Sequence, residues 1–207
     1  MSDRREAALE AFLRLVGEKG YAAVALRDVA QAAGLGFAEF YALFPDKVAL
    51  TAAFMARIDA QVMEGVAPSN DPEETTRDRL FDTLMRRYDA LKPHKGFLRA
   101  VRRAMAADPL LLLAMAPAMG RAMAGMLEAA GVPSDGISGA LRQNGLLAVH
   151  YAVLGVFESD DSEDLSKTMA ALDRRLKTAE NWAQTFDKYV KWPAKPKRLE
   201  RSNSHAT

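Results

Sequence analysis

Residues 26–44, which read LRDVAQAAGLGFAEFYALF, decide the fold. Apolar residues recur in residues 26–33 at the spacing of one helix face, and the sequence predicts a short helix over 27–33. A tight turn at 34–36 and a second short helix over 37–44, ended by Pro45, follow. Two short helices joined by a glycine turn form a helix-turn-helix, a unit whose second helix enters the DNA major groove.

Helical periodicity continues through the chain, and no segment shows the sustained alternation of a strand. Pro, Gly and capping residues predict further helices over 2–19, 47–64, 72–91, 93–107, 109–131, 139–157 and 163–191. Asp46, Asp71 and Asp108 are the expected N-caps, and a kink is expected at Pro117. The predicted fold class is therefore all-α.

The stretch VAPSNDP at residues 66–72 is the best domain boundary. We expect a DNA-binding domain over 1–65, which includes the start of the linking helix, and a ligand-binding and dimerisation domain over 66–192. Residues 193–207 form a tail, and residues 188–207 carry six basic side chains against one acidic side chain. Such a tail is typical of a solvated segment or of a contact with an anionic surface.

The N-terminal part resembles the TetR family of bacterial repressors. The matching residues, in order, are Gly20-Tyr21, 26–30 (LRDVA), 33–35 (AGL), Tyr41, Phe44, Lys47 and Leu50. The resemblance implies a TetR-like, all-helical homodimer that binds a palindromic operator and is released by an apolar small molecule. The candidate DNA-binding residues are Arg27, Gly36, Phe37, Ala38, Tyr41 and Lys47.

The charge of this domain leaves DNA binding open. Residues 1–65 contain seven basic and nine acidic residues, a net charge of −2, and the second helix has no Lys or Arg. Affinity for DNA depends strongly on neutralising phosphates, so a net negative domain is unfavourable. The family usually has Ser or Thr where this chain has Gly36, so the side-chain cap of that helix is absent as well.

A second resemblance favours an alternative. Residues 151–183 resemble the C-terminal portion of the coenzyme-Q-biosynthesis lipid-binding proteins, which have a TetR-like fold. The shared residues are Asp160-Asp161-Ser162, Asp164, Thr168 and 172–176 (LDRRL). This resemblance implies a lipid-binding accessory protein that does not bind DNA, with membrane contact through the C-terminal tail.

A ligand pocket is expected in the C-terminal domain, because flexible thioethers adapt to irregular apolar molecules. Two polar residues on an apolar helix, Asn144 and His150, are the expected contacts for a ligand's polar end. The alternative is ordinary core packing. The candidate ligand-binding residues are Met85, Met105, Met115, Met119, Met123, Asn144 and His150.

The last predicted helix carries an apolar seam at heptad spacing. Its candidate dimerisation residues are Leu165, Met169, Leu172, Leu176 and Ala179. Such a seam needs a partner surface, which is either the core of its own domain or the same helix of a second subunit.

Several functional classes are disfavoured by composition. The 207 residues include no Cys and three widely separated His, which argues against disulfides, a metal site and a cysteine nucleophile. No nucleophile elbow or phosphate-binding loop is present, so we expect neither an enzyme nor a cofactor. The charged N-terminus does not resemble a signal peptide, and the longest uncharged apolar stretch, 109–120, is shorter than the ~20 residues of a membrane span. We therefore expect a cytoplasmic protein.

Overall fold

The computed structural model describes the backbone of residues 2–66 and 74–189 and the side chains of residues 3–66 and 74–181. Within these residues there are nine α-helices and no strand, which confirms the predicted all-α class. The helices are α1 (Ser2–Lys19), α2 (Leu26–Ala32), α3 (Phe37–Leu43), α4 (Lys47–Glu64), α5 (Thr76–Leu91), α6 (Lys95–Ala107), α7 (Pro109–Ala129), α8 (Gly136–Glu158) and α9 (Ser166–Tyr189), with a short 3-10 helix, Lys92–His94, before α6. The predicted tail, 193–207, lies outside the described residues.

The helix starts depend on local capping, and α5 shows where the sequence prediction was wrong. The Thr75 hydroxyl accepts a hydrogen bond from the Asp78 N–H (3.2 Å), and the Asp78 carboxylate accepts one from the Thr75 N–H (3.1 Å). This capping box starts α5 at Thr76, four residues later than predicted from Asp71 and Pro72. Those two residues lie outside the described part of the chain. Asp46 and Asp108 cap α4 and α7 as predicted.

The turn between α7 and α8 depends on two glycines. Gly131 has φ = 71° and follows the end of α7, and α7 stays helical on both sides of Pro117. Helix α8 begins at Gly136, three residues earlier than predicted. A Cβ atom on Gly139 would lie 1.9 Å from the Ser134 carbonyl oxygen, so the first turn of α8 leaves no room for a side chain there.

The corner between α8 and α9 is built around the buried carboxylate of Asp160. Its Oδ2 accepts hydrogen bonds from the Thr168 N–H (2.8 Å) and the Thr168 hydroxyl (2.7 Å), and its Oδ1 accepts from Ser162. These bonds hold the pKa of Asp160 well below its usual value. Leu165, with φ = 54°, lies before the helix, so α9 starts at Ser166, three residues later than predicted from 163.

Helix α6 joins the N-terminal helices to the remainder of the described structure. Phe97 of α6 packs edge-on against Phe12 of α1 (5.6 Å between ring centroids) and against Phe54 of α4 (5.0 Å). Further along α6, Arg102 forms a bidentate ion pair with the buried Glu158 at the end of α8. The Arg99 guanidinium donates to the Glu158 carbonyl oxygen (2.8 Å), which suits the negative end of the α8 dipole.

Asp160→Asn should destabilise the protein by about 1–3 kcal/mol at neutral pH, because an amide in that position turns a donor towards the Thr168 N–H. The folded pKa of Asp160 lies below the unfolded one, so its stabilising contribution exists above the unfolded pKa and is lost as the pH falls. Urea unfolding should therefore show a difference from the wild type that shrinks below about pH 4.

Asp161→Asn is the matched control, since Asp161 is exposed and adjacent. An equal loss of stability in the two variants, or a difference that grows at acid pH, would contradict the assigned role of Asp160.

Candidate DNA-binding surface and ligand-responsive core

The α2–turn–α3 unit has the geometry that its sequence predicts, with each short helix within one residue of its expected bounds. Gly34 adopts φ = 68°, and the Leu35 N–H donates to the Ala30 carbonyl oxygen (2.9 Å), which closes α2. Gly36 is the N-cap of α3, and without a side chain it leaves the first N–H groups of α3 uncapped by any side chain. Helix α3 is held to the core by Phe40, which is fully buried.

The outer face of α3 brings three of the predicted DNA-binding residues together. Phe37 is 41% exposed and Tyr41 is 52% exposed, and their rings lie 6.0 Å apart one turn along the helix. Ala38 is exposed beside them. The Arg27 guanidinium of α2 lies 5.2 Å from the centre of the Phe37 ring, so a cation borders this aromatic face. Large aromatic side chains in such exposed positions are unusual unless they contact a partner.

Lys47 has a structural contact that the sequence did not reveal. Its ammonium group donates to the Tyr21 carbonyl oxygen (2.7 Å) and lies 4.7 Å from the centre of the Tyr21 ring. Partial burial lowers the pKa of Lys47. The side chain therefore ties the start of α4 to the turn after α1, while two of its three N–H donors remain available for other acceptors.

Ion pairs fix where the charges of this domain lie. Glu39, the acid on α3, is paired with Arg4 of α1. Glu6 and Glu10 of α1 both contact Arg57 of α4. These arginines are already included in the seven basic residues, so the pairs leave the net charge at −2, but they place a cation directly beside the acid of α3.

The predicted ligand-binding methionines lie in or against the core. Met115 and Met123 are buried, and Met85, Met105 and Met119 are partly buried. The Tyr151 hydroxyl donates to the sulfur of Met119 (3.0 Å). Asn144 is exposed, and its amide donates to the Ala140 carbonyl oxygen (2.8 Å) within α8, so its side chain does not lie with the methionines.

His150 is buried beside Tyr88 of α5. The Tyr88 hydroxyl lies 3.1 Å from His150 Nδ1, and the two rings are stacked with centroids 5.6 Å apart. Burial and the nearby Arg87 cation lower the pKa of His150 to about 3, so the imidazole is neutral at physiological pH. Burial also raises the pKa of Tyr88. The pair is a neutral polar contact between α5 and α8.

Arg87 is a buried cation that the sequence analysis missed. Only 2% of the Arg87 side chain is exposed, and its guanidinium donates to Asp59 of α4 and to the sulfur of Met55 (3.6 Å). The signal was present in the periodicity, because Leu84, Arg87, Tyr88 and Leu91 share the buried face of α5. A charge at a core position of an amphipathic helix calls for a specific partner.

Two shallow grooves lie on the described surface. One, of about 360 Å³, lies between α4 and α5 and is lined by Gln61, Val62, Gly65, Arg86, Asp89 and Ala90. The other, of about 260 Å³, lies between α8 and α9 and is lined by Ala152, Val156, Ala171, Arg174, Arg175 and Thr178. Neither groove is lined by the predicted methionines.

The predicted dimerisation seam on α9 is divided between two environments. Leu165, Leu172 and Leu176 are buried within the subunit, so they pack in its own core, which is one of the two alternatives left open by the sequence. Met169 is 37% exposed and Ala179 is partly buried. The buried leucines are unavailable to a partner in this arrangement.

An exposed apolar face lies instead on α8. Ile137 is 73% exposed and Leu141 is 59% exposed, and small exposed residues continue the same face at helical spacing. These small residues are Gly145, Ala148, Ala152 and Gly155. We call the six residues the α8 stripe. The sequence analysis did not identify it, although the intervals of three and four residues were visible.

One described helix has the composition of a membrane span. Helix α7 is long and apolar enough, by length and composition alone, to cross a membrane, with a mean hydropathy of 1.6. It also carries Arg121 and Glu128 and packs against α4, α6 and α8, and a third of its apolar window is buried within the described structure. In the same residues, no group of three or more His, Asp or Glu side chains is placed to hold a metal ion.

Comparison with known proteins places this geometry in a family. Residues 8–54 match the model for bacterial regulatory proteins of the tetR family. No curated protein sequence matches the chain.

Similar solved structures include a TetR transcriptional regulator from Nitrosomonas europaea ATCC 19718, at 19% identity and a TM-score of 0.68, covering 85% of this chain and 97% of that one. A TetR transcriptional regulator from Rhodococcus sp. RHA1 is 24% identical with a TM-score of 0.57, covering 87% and 96%. The flavonoid-responsive regulator FrrA is 20% identical with a TM-score of 0.50, covering 91% and 97%. At these identities the structures show a shared fold, and the N-terminal match supplies the family signature. Residues 8–54 therefore carry the signature of the tetR family of bacterial regulatory proteins, and the chain shares the fold of solved TetR regulators.

Proposed function

We propose that the protein is a homodimeric DNA-binding regulator, acting as a repressor, that leaves a palindromic operator when an apolar effector binds. The observation that carries the DNA-binding part is the exposed aromatic face of α3, held on a helix-turn-helix by the buried Phe40. Phe37, Ala38 and Tyr41 are positioned to contact base edges and methyl groups in a major groove. Arg27 and the free N–H groups at the start of α3 are positioned for phosphates.

The homodimer is supported by the α8 stripe. A row of exposed Ile, Leu, Ala and Gly on one helix is expensive to leave in water, and small residues allow a second helix to approach closely. A two-fold axis through this face would place two α3 helices for two half-sites, which is why the operator is expected to be palindromic.

Ligand response is supported by the methionine-rich core and by the polar pair of Tyr88 and His150. The fold is also that of a protein described as a flavonoid-responsive regulator. A lipid-binding accessory protein on the same fold was the sequence-based alternative. Three of the residues that carry that resemblance, Asp160, Ser162 and Thr168, form the α8–α9 corner, so these three supply no argument for lipid binding. A soluble regulator of this kind would act in the cytoplasm.

Selection of binding sites from genomic fragments or a random library at low salt should yield a palindromic sequence. Tyr41→Ala should weaken binding to that sequence by about tenfold or more, because it removes an exposed α3 contact while leaving the core intact. Thermal melting of the variant should match the wild type. If no sequence is enriched, the DNA-binding proposal fails.

Lys47→Ala should weaken binding to all sequences and lower the salt slope by about one unit, as loss of one phosphate contact does. Lys19→Ala is the matched control, because Lys19 is an exposed cation at the end of α1. If the salt slope of folded Lys47→Ala is unchanged, Lys47 makes no phosphate contact and its role is limited to the hydrogen bond with the Tyr21 carbonyl.

Glu39→Gln should strengthen DNA binding, since it removes the negative charge of α3 and frees Arg4 for phosphate. Glu18→Gln is the control. Glu18 lies about 20 Å further along α1 than Arg4, and salt screens a charge at that distance from the α3 surface. Equal effects of the two variants in fluorescence anisotropy would show that only total charge matters, and a weaker complex with Glu39→Gln would contradict the expected gain.

Ala148→Arg should convert the full-length protein from dimer to monomer in light scattering and abolish operator binding, because it places a charge in the middle of the α8 stripe. Ala116→Arg, on the exposed side of α7, is the control and should remain dimeric. A wild type that is monomeric at tens of micromolar, or an Ala148→Arg variant that stays dimeric, would exclude this interface.

A further inference from the structure

The buried guanidinium of Arg87 is incompletely satisfied by the packing around it. Its Nη1 faces the Asp59 carboxylate and its Nη2 contacts only the weak acceptor sulfur of Met55. Its Nε is buried and has no hydrogen-bond partner. An arginine in a core normally has its donors fully used, because each unpaired buried donor costs about 1–3 kcal/mol.

Arg87 remains a cation in spite of this environment. Burial lowers its pKa to about 10, which still leaves the guanidinium protonated at neutral pH. A buried charge is tolerated when an opposite charge and several hydrogen bonds compensate for lost hydration. Asp59 supplies one carboxylate, yet a guanidinium offers five N–H donors in a planar fork, so the site has capacity for another anionic acceptor.

The surroundings of Arg87 suit the apolar body of a ligand. Met55 contacts the guanidinium directly, and neighbouring Tyr88 is stacked on the neutral ring of His150. Tyr88 and Met55 thus present an aromatic and a thioether surface beside the guanidinium. An anion placed here would be attracted by Arg87 and would compete with the carboxylate of Asp59.

We propose that the effector is an apolar acid whose carboxylate binds the Arg87 guanidinium, taking the place of Asp59 and satisfying Nε. This inference rests on the proposed function, and it adds the chemical class of the effector and the residue that selects it. A planar carboxylate matches the guanidinium fork through two parallel N–H···O bonds. Asp59, which is 21% exposed, can turn to water when it is displaced.

The groove between α4 and α5 lies near the Asp59–Arg87 pair. Its lining residues Val62 and Ala90 follow Asp59 and Arg87 by three residues on the same helices. The groove is shallow, with a volume of about 360 Å³. Arg86 at its edge adds positive charge at the entrance.

Exchange of carboxylates at Arg87 also explains how an effector would act on DNA binding. The Asp59–Arg87 pair joins α4, which directly follows the helix-turn-helix, to α5. An acid that takes Arg87 removes this link, so acid binding and the operator-bound arrangement of α4 oppose one another. By linkage, operator DNA must then weaken acid binding by the same factor.

The test uses matched acids and neutral compounds with the full-length protein: decanoate against decanol, and naphthoate against naphthol, measured by calorimetry and thermal shift. At least one acid should bind about tenfold or more tightly than its neutral counterpart, as expected for hydrogen bonds to a charged group. Asp59→Asn should raise the affinity of that acid severalfold, because it removes the competing carboxylate. A purely structural role for Asp59 predicts the opposite.

Arg87→Met should abolish the preference for acids, and Arg86→Met, on the neighbouring exposed position, should preserve it. If Arg87→Met does not fold, Arg87→Lys keeps the charge, loses the fork and should bind the acid more weakly. The inference is overturned if neither acid is preferred over its neutral counterpart, or if Asp59→Asn weakens the acid. Operator binding is measured separately, without any effector. If the protein binds no operator, the proposed function is refuted, and the acid measurements can still be interpreted on their own.

Discussion

The contact on which the described arrangement depends is the edge-on packing of Phe97 against Phe12 and Phe54. These three rings come from α6, α1 and α4, and each aromatic pair of this kind contributes about 0.5–1.5 kcal/mol beyond the burial of its surface. Helices α1 and α6 also approach closely where a Cβ atom on Gly96 would lie 3.9 Å from the Gly17 Cα. The helix-turn-helix is therefore packed against the C-terminal helices as part of one continuous core, and its orientation is set by that packing.

Burial of charge is arranged differently in the two halves of the chain. In the N-terminal half, Glu6, Glu10 and Glu39 meet arginines at the surface, where ion pairs contribute little to stability but do neutralise potential. In the C-terminal half, Glu158 and Arg87 are buried, and loss of a partner would leave a charge in the core. Surface pairs thus place charge around the N-terminal helices, whereas buried pairs set the relative positions of α4, α5, α6 and α8.

Features encoded by neighbouring residues were predictable from the sequence, and features that need distant residues were not. Gly20, Gly34 and the Asp108-Pro109 pair gave correct helix ends, because caps and positive φ depend on a few adjacent residues. The predicted starts of α5 and α9 were wrong. The sequence around each start contains several residues that can cap a helix, and it does not show that Thr75 and Asp160 are the ones used. Phe37 and Tyr41 were named as candidates from the family resemblance, and their shared exposed face appears only in the structure. The ion pairs of Glu39 and Arg87 join residues 35 and 28 positions apart, and no local pattern contains that information.

The α9 seam shows why periodicity alone does not identify an interface. A heptad repeat indicates that one face of a helix is buried, but it does not indicate whether that face packs against the same subunit or against another. Leu165, Leu172 and Leu176 are covered by their own subunit. The α8 stripe is less hydrophobic residue by residue, because Gly and Ala contribute little area, and a search for large apolar side chains passes over it. After the larger leucines have been packed in the core, this row of small apolar residues remains at the surface, so its exposure, and not the size of its side chains, distinguishes it from the covered α9 seam.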